Sequence, residues 1–366
     1  MLAVEPNSSA PEPAILLDDY LSLIDDSCVA ILPHVLRLAV ELGIAELLAE
    51  GERTGVEIAE AVGAHSGALA RLLRALVSIG MLTEQKHTFR LTPAGNRMRE
   101  GADNSVRASL LNTDSQLAWL QSLHTLRTGR PAYEQQHGAF FAHKDSDDTA
   151  NAFFLRRMRE RASRLYSRFV TTSDWTGCRV VMDVGGGDGY LIEQVLEHAR
   201  GVRGVLFDRP AVVEAVRAGG TFDRRACRLE AGDFFVGVPG GADTHLLCSV
   251  LHDWTDEQCV TILRNSRDAL EPGGRLMIVE MLLPSDGSWH PSTWSNLGMM
   301  VLTGGRERTE EEFEVLLAKV GYIMAGVRAI PDSPFSVVNA KLDSRSPRLR
   351  STDVVRQLNR KTLVVS

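Results

Sequence analysis

A short turn, Asp183-Val-Gly-Gly-Gly-Asp-Gly189, closes one apolar run and opens an amphipathic one. Adjacent glycines let a backbone come close to a ligand. Their spacing is not the G-x-G-x-x-G of a dinucleotide site, and the turn lacks the G-K-[ST] ending of a phosphate loop. Asp208 ends the next apolar run, 21 residues after Gly187, where a carboxylate can accept both hydroxyls of a ribose. Asp233 and Phe234 end a third run and offer an acceptor and an aromatic plane for an adenine. Each feature alone has a plainer reading: a tight strand-to-helix turn for the glycines, a cap on the following segment for either aspartate. In register they describe a nucleoside-bearing ligand held without phosphate-binding chemistry, and S-adenosylmethionine fits that description better than a nucleotide.

A second set of residues suits proton transfer. In Val250-Leu-His-Asp-Trp-Thr-Asp-Glu-Gln258, Thr255 and Gln258 form a capping box, so a helix starts there and His252 falls between a strand end and a helix start. The helix N-terminus is expected to disfavour imidazolium and keep the ring neutral near pH 7. A phenol, with a pKa of about 10, is scarcely ionised at that pH, so a base within reach is useful to it. A sulfonium methyl is already activated, and neither a metal nor a covalent nucleophile is required. Glu280 ends another apolar run, and Glu307 precedes a further capping box, Thr309 with Glu312. Either carboxylate can orient His252 or hold an acceptor; either is also readable as a solvated acid at the end of an element.

These residues need a scaffold. The 366 residues are 44% apolar and 24% charged, ordinary globular usage. From Arg179, strands (RVVMDV, GVLFD, CRLEAGDFF, THLLCSVLHDW, RLMIVEMLLP) alternate with helical patterns. That alternation implies an α/β fold with a doubly wound, mostly parallel sheet, whose ligands bind beyond the carboxyl ends of the strands. Upstream, helical spacing runs from Leu16 to about Glu50, with Gly43 as a break. Thr54 and Glu57 cap one helix, Ser66 opens another, and MLTEQKHTFRLTPAG reads as a hairpin. The outline is a winged helix. The division expected is 14–104 for this winged-helix-like part, 105–172 for a helical linker and substrate-pocket region, 173–340 for the cofactor-binding domain, and 341–366 for a basic extension.

A winged helix raises the rival reading of a DNA-binding regulator. The segment 53–100 carries seven basic and four acidic residues, and its candidate reading helix, SGALARLLRALVSIG, offers Arg71 and Arg74 among alanine, glycine and leucine. A groove-reading helix presents more polar side chains to base edges, and the whole chain has 40 Lys and Arg against 47 Asp and Glu. Nucleic acid is therefore not an expected partner. No apolar run is long enough to span a bilayer, the first residues carry no basic leader, and five scattered cysteines without a C-x-x-C pair suit free thiols. The expected setting is the cytoplasm, with no membrane partner and no zinc site.

VMDVGGGDGY, VLFDRPAVV, AGDFF, VLHDWTDEQC, ALEPGGRLMIVEMLLP and TGGRERTEEEF resemble, in order and spacing, the S-adenosylmethionine-dependent O-methyltransferases of the caffeate/hydroxyneurosporene type. The resemblance is closer to bacterial polyketide and natural-product tailoring enzymes, and it covers roughly residues 20–340. It implies a class I methyltransferase fold with a dimerisation domain, a homodimer, and methylation of a phenolic hydroxyl on an aromatic or polyketide-type small molecule. By it, Gly185 and Gly187 line the methionine part of the cofactor, Asp208 binds ribose, Asp233 and Phe234 hold adenine, and Ser249 lies near the cofactor. It makes His252 the base, with Glu280 and Glu307 flanking it. Met158, Trp294, Met299 and Met300 become pocket-wall residues, with core packing an equal reading of each. Asn296 departs from the Asp of many relatives. Some relatives keep the fold for decarboxylation, hydroxylation or cyclisation; the retained His252 favours methyl transfer.

Overall fold

A computed structural model describes residues 28–102, 104–222 and 226–343. The helical pattern before Cys28 and the basic tail beyond Asp343 lie outside the described residues. The chain divides between Thr113 and Asp114 into two compact units, and no helix among the described residues is long and apolar enough to cross a membrane.

In the first unit, the helix Cys28–Glu41 stops at Gly43, which takes φ 69° and restarts the chain as the helix Ile44–Ala49. Thr54 and Glu57 form the expected capping box at the helix Gly55–Ala61. The helix Ser66–Ser78 is capped one residue earlier than expected: His65 Nδ1, not the Ser66 hydroxyl, accepts the Ala68 N–H. A three-stranded sheet has the order β1 (Arg53–Thr54), β3 (Thr88–Leu91), β2 (Leu82–Gln85). Lys86 and His87 both take positive φ in the hairpin turn, which matches the twist of the strands it joins. Ile44, Ile58, Leu73, Leu76 and Leu82 form the core of this unit.

The second unit is built on a seven-stranded sheet. Its strands are β4 (Val180–Val184), β5 (Arg203–Asp208), β6 (Cys227–Ala231), β7 (Ala242–Cys248), β8 (Leu270–Met281), β9 (Tyr322–Ala329) and β10 (Phe335–Leu342). The order is β6-β5-β4-β7-β8-β10-β9, parallel through β8 and antiparallel for β10 against both β8 and β9. Side chains alternate across it with period two. Val181, Leu246, Met277 and Val279 face one apolar layer, with Ile192, Val195 and Phe169. Met182, Leu247, Leu276 and Ile278 face the other, with Ile262, Leu263, Phe313 and Leu317. Burial on both faces explains why these strands read as continuous apolar runs. Strand order reverses between β4 and β7, so the crevice for a ligand opens beyond their carboxyl ends.

Candidate active site

Beyond those strand ends lies a cavity of about 1060 Å³, counting its open mouth. That is room for two drug-sized molecules at most. Gly185, Gly186 and Gly187 from the end of β4, Asp208 from β5, Ser249 and His252 after β7, and Met158 and Met299 from flanking helices line it, as does Phe234. Gly185 and Gly187 have φ 74° and 60°, a left-handed conformation that disfavours any side chain. A Cβ built on Gly187 would meet only Leu155, at 3.9 Å, and otherwise project into open space. The loop is thus held open where a ligand can lie against its backbone.

Asp208 is tied into that loop: Oδ2 accepts the Gly187 N–H at 2.8 Å and Oδ1 the Arg209 N–H at 2.7 Å. Burial raises its pKa, and those two N–H groups oppose the rise. Asp183, at the end of β4, lines the same cavity. Its side chain is buried and neither carboxylate oxygen has a hydrogen-bond partner. Burial, with the Asp208 and Asp188 charges adding to it, raises its pKa to about 7. An unpaired buried carboxylate in a ligand cavity calls for a positive charge.

Ser249 leaves β7 at φ 55°, a strained value for a non-glycine residue, and its N–H donates to the Val279 carbonyl at 3.0 Å. The chain then makes one 3₁₀ turn, Leu251–Asp253, before Thr255 and Gln258 cap the next helix as expected. His252 is only 4% exposed. Its Nδ1–H donates to Glu280 Oε2 at 2.6 Å, while Glu280 Oε1 accepts the Val250 and Leu251 N–H groups at 3.0 and 2.9 Å. With Nδ1 committed, Nε2 is the nitrogen left for chemistry; Asp253 Oδ1 stands 3.8 Å from it.

The expectation of a ring neutral at pH 7 does not hold here. Burial pulls the His252 pKa down, but the charges of Glu280, Asp253 and Glu307 outweigh it and raise the pKa to about 9. The turn sets the ring ahead of the helix, among carboxylates that a reading of the helix terminus alone leaves out. Glu307 is buried, which raises its own pKa. Its Oε1 accepts the Ser295 hydroxyl at 2.6 Å and its N–H donates to Asn296 Oδ1 at 3.0 Å. Asn296 therefore serves the backbone that carries Glu307. One ligand-type atom each from His252, Glu280 and Glu307 lies within 4.8 Å of the others, so both carboxylates act on the charge of the ring, and the spacing would also admit a metal ion.

Three expected residues lie elsewhere. Asp233 is exposed and does not line the cavity; Oδ1 accepts the Phe235 N–H at 2.8 Å and so closes the turn that presents Phe234. Trp294 is 64% exposed, because the helix Pro291–Leu302 turns Ser295, Met299 and Leu302 inward and leaves position 294 outside that stripe. Met300, one residue past Met299, packs with Ala132, Tyr133 and Val301 instead. Conversely, the sequence reading passed over Asp183, Asp253, Arg157 and Arg161, all of which line the cavity. Asp183 looked like part of the turn. The arginines sit one helical turn apart in a run of charges that resembles a solvated face.

Comparison with known proteins agrees with this geometry. An O-methyltransferase domain model matches residues 119–323, and an O-methyltransferase dimerisation domain model matches 27–100. The O-demethylpuromycin-O-methyltransferase of Streptomyces alboniger is 38% identical over 322 residues, 84% of this chain and 85% of the relative. The crystal structure of LaPhzM superposes with a TM-score of 0.82 at 32% identity, covering 90% of this chain and all of the other. NcsB1, an O-methyltransferase from neocarzinostatin biosynthesis solved with S-adenosylmethionine and 2-hydroxy-5-methyl naphthoic acid, superposes at 0.72 with 30% identity over 85% of this chain and 95% of its own. The glycine cradle and the unpaired Asp183 carboxylate fit a cationic, nucleoside-bearing cofactor. This chain belongs to the S-adenosylmethionine-dependent O-methyltransferases.

Proposed function

We propose that the enzyme methylates a phenolic hydroxyl of a small aromatic natural product, with His252 as the general base. The observation that carries this reading is the placement of His252: buried, facing the cavity, and fixed through Nδ1 by Glu280. Gly185, Gly187, Asp208, Phe234 and Ser249 would hold the cofactor, with Asp233 serving to shape the Phe234 turn. The bound cofactor supplies a methyl carbon activated by a sulfonium. His252 Nε2 takes the proton as the acceptor O–H bond breaks. The imidazolium that forms is held by Glu280, with Asp253 and Glu307 nearby. Met158, Met299, Phe141 and Trp254 give the apolar walls that position an aromatic ring. The aromatic acid bound by NcsB1 and the puromycin precursor named for the Streptomyces alboniger enzyme support an aromatic acceptor.

Replacement of His252 by Ala is expected to leave S-adenosylhomocysteine binding within about threefold of wild type and to lower kcat with a phenolic acceptor by about 10²–10⁴. An unchanged kcat refutes the assigned role. The family's dimerisation domain and the exposed Leu117, Trp119, Leu120, Leu123 and Leu126 support a homodimer.

A further inference from the structure

Arg157 and Arg161 occupy successive turns of the helix Asp148–Leu165 and both line the cavity. Neither makes a hydrogen bond or an ion pair with any described residue. By contrast, other arginines lining this cavity are committed: Arg159 pairs with Asp188 and Glu193, and Arg209 with Asp145. The two open guanidiniums stand at the His252 end of the cavity. Both charges are felt at Asp253, which touches the His252 side of the site, and that of Arg161 is felt at Glu307.

Their cost is evident. Burial, and then the repulsion of Arg161, pull the Arg157 pKa down to about 10 despite the carboxylates nearby. Arg157 is desolvated beside the like charge of Arg161, and Asp253 offsets this only in part, so a further negative group placed between the two guanidiniums would be favourable. Both are braced on aromatic rings: Arg157 over Phe154 at 5.9 Å and Arg161 over Phe335 at 5.4 Å. Bracing limits the rotamer freedom lost when an anion binds. Beside them, Phe154, Met158 and Met299 form an apolar surface, with Trp254 stacked on Phe141 at 5.1 Å. An aromatic ring with one negatively charged substituent matches these features; an uncharged polycycle would bring neither guanidinium a direct hydrogen-bonded acceptor.

We infer that Arg157 and Arg161 form a carboxylate-binding subsite and that the acceptor is an aromatic hydroxy acid. The inference rests on the phenolic-acceptor reading above and narrows it. The group bound is a carboxylate on the ring that carries the reacting hydroxyl, and the arginines set its orientation relative to His252.

The test is calorimetric titration of the full-length protein, saturated with S-adenosylhomocysteine, with three acids: salicylate, 3-hydroxy-2-naphthoate and phenazine-1-carboxylate. Each is compared with its uncharged amide. At least one acid is expected to bind tenfold or more tightly than its amide. R157M/R161M should abolish that preference and leave amide affinity within threefold, whereas R157K/R161K should keep part of it. If no acid outbinds its amide in the wild-type protein, the inference is overturned, and that comparison needs no variant to fold. A preference that survives in R157M/R161M overturns it as well. Methyl transfer to the hydroxylated probes separates the two readings. Preferential acid binding without methylation of any probe leaves the subsite standing and removes the phenolic acceptor. Methylation of acids and amides alike does the reverse.

Discussion

Glu280 reaches His252 and the chain that carries it with one carboxylate: Oε2 accepts the Nδ1–H at 2.6 Å, and Oε1 accepts the N–H groups of Val250 and Leu251. The residue thus fixes the tautomer, the orientation and the charge of the ring together. Because the folded-state pKa of His252 is raised from 6.5 to about 9, the stability it contributes is fully present below pH 6.5 and is lost as pH rises through about 9. The shift corresponds to about 3 kcal/mol. Glu280→Gln removes the charge, so the alkaline loss of stability should shrink and the protein should be less stable near pH 7. Thermal melts from pH 6 to 10 check this.

With His252 as the proposed base, the same pair should set the pH dependence of catalysis. A base must be unprotonated to act, so kcat/KM should rise with pH up to about 9 in the wild-type enzyme. Glu280→Gln should move that rise to lower pH while lowering the maximum. Following the His252 ring protons by NMR in the free protein gives the titration directly. A midpoint near 6.5 in the wild type would contradict the carboxylate arrangement.

Asp183 also loses stability as pH rises, but because its charged form is the disfavoured one. Burial raises its folded-state pKa from 3.8 to about 7, so its stabilising contribution is complete below pH 3.8 and lost as pH rises through 7. At pH 8 the unpaired charge costs about 4 kcal/mol. Asp183→Asn should therefore raise the melting temperature of the free protein at pH 8, and by less at pH 5. It should also reduce the extra stabilisation given by saturating S-adenosylmethionine. A variant that melts lower at pH 8 and binds cofactor normally would show the carboxylate to be satisfied by another group.

The proposed homodimer makes a hydrodynamic prediction. Leu120 and Leu126 are 84% and 68% exposed on adjacent short helices of the second unit, and apolar side chains grouped in this way suit an interface. Light scattering at micromolar concentration should give twice the chain mass. Leu120→Glu with Leu126→Glu should shift the protein toward monomer. A monomeric wild-type protein would overturn the dimer.

The legibility of this chain in its sequence follows from where each signal is stored. The parallel strands announce themselves because both faces of β4, β5, β7 and β8 are buried, and apolar runs then end abruptly at Gly185, Asp208, Ser249 and Glu280. Capping boxes at Thr54, Thr255 and Thr309 are local and were readable as such. In the hairpin β9–β10, β9 is the edge strand with mostly exposed or half-buried positions, and the inner strand β10 interrupts its apolar run with Ser336, Asn339 and Lys341, so neither announces itself. Trp294 and Met300 were misplaced by about a hundred degrees of helical phase, which composition cannot supply. The His252 charge state was misread for a different reason. It depends on Glu280, 28 residues away in sequence, and on Glu307, 55 away, both of which tertiary packing brings under the ring.

The turn that carries His252 depends on two residues outside it. Arg308 is fully buried; its guanidinium donates to the Leu251 and Trp254 carbonyls at 2.8 Å each and to Asp256 Oδ1 at 2.9–3.0 Å. Gly305 lies against the same turn, where a Cβ would come under 3.0 Å from the His252 carbonyl oxygen and the Asp253 carbonyl carbon, both backbone atoms. Arg308→Lys keeps the charge but not the fork that spans both carbonyls, leaving at least one buried acceptor unmet at a cost of about 1–3 kcal/mol. Gly305→Ala must push the turn aside. Both variants should lower kcat by about tenfold or more through misplacement of the base. S-adenosylhomocysteine affinity should stay within about threefold, because the glycine loop and Asp208 belong to other strands. Single-turnover kinetics alongside calorimetry separate the two effects, and a selective loss of cofactor binding would show that the turn serves the cofactor rather than the base.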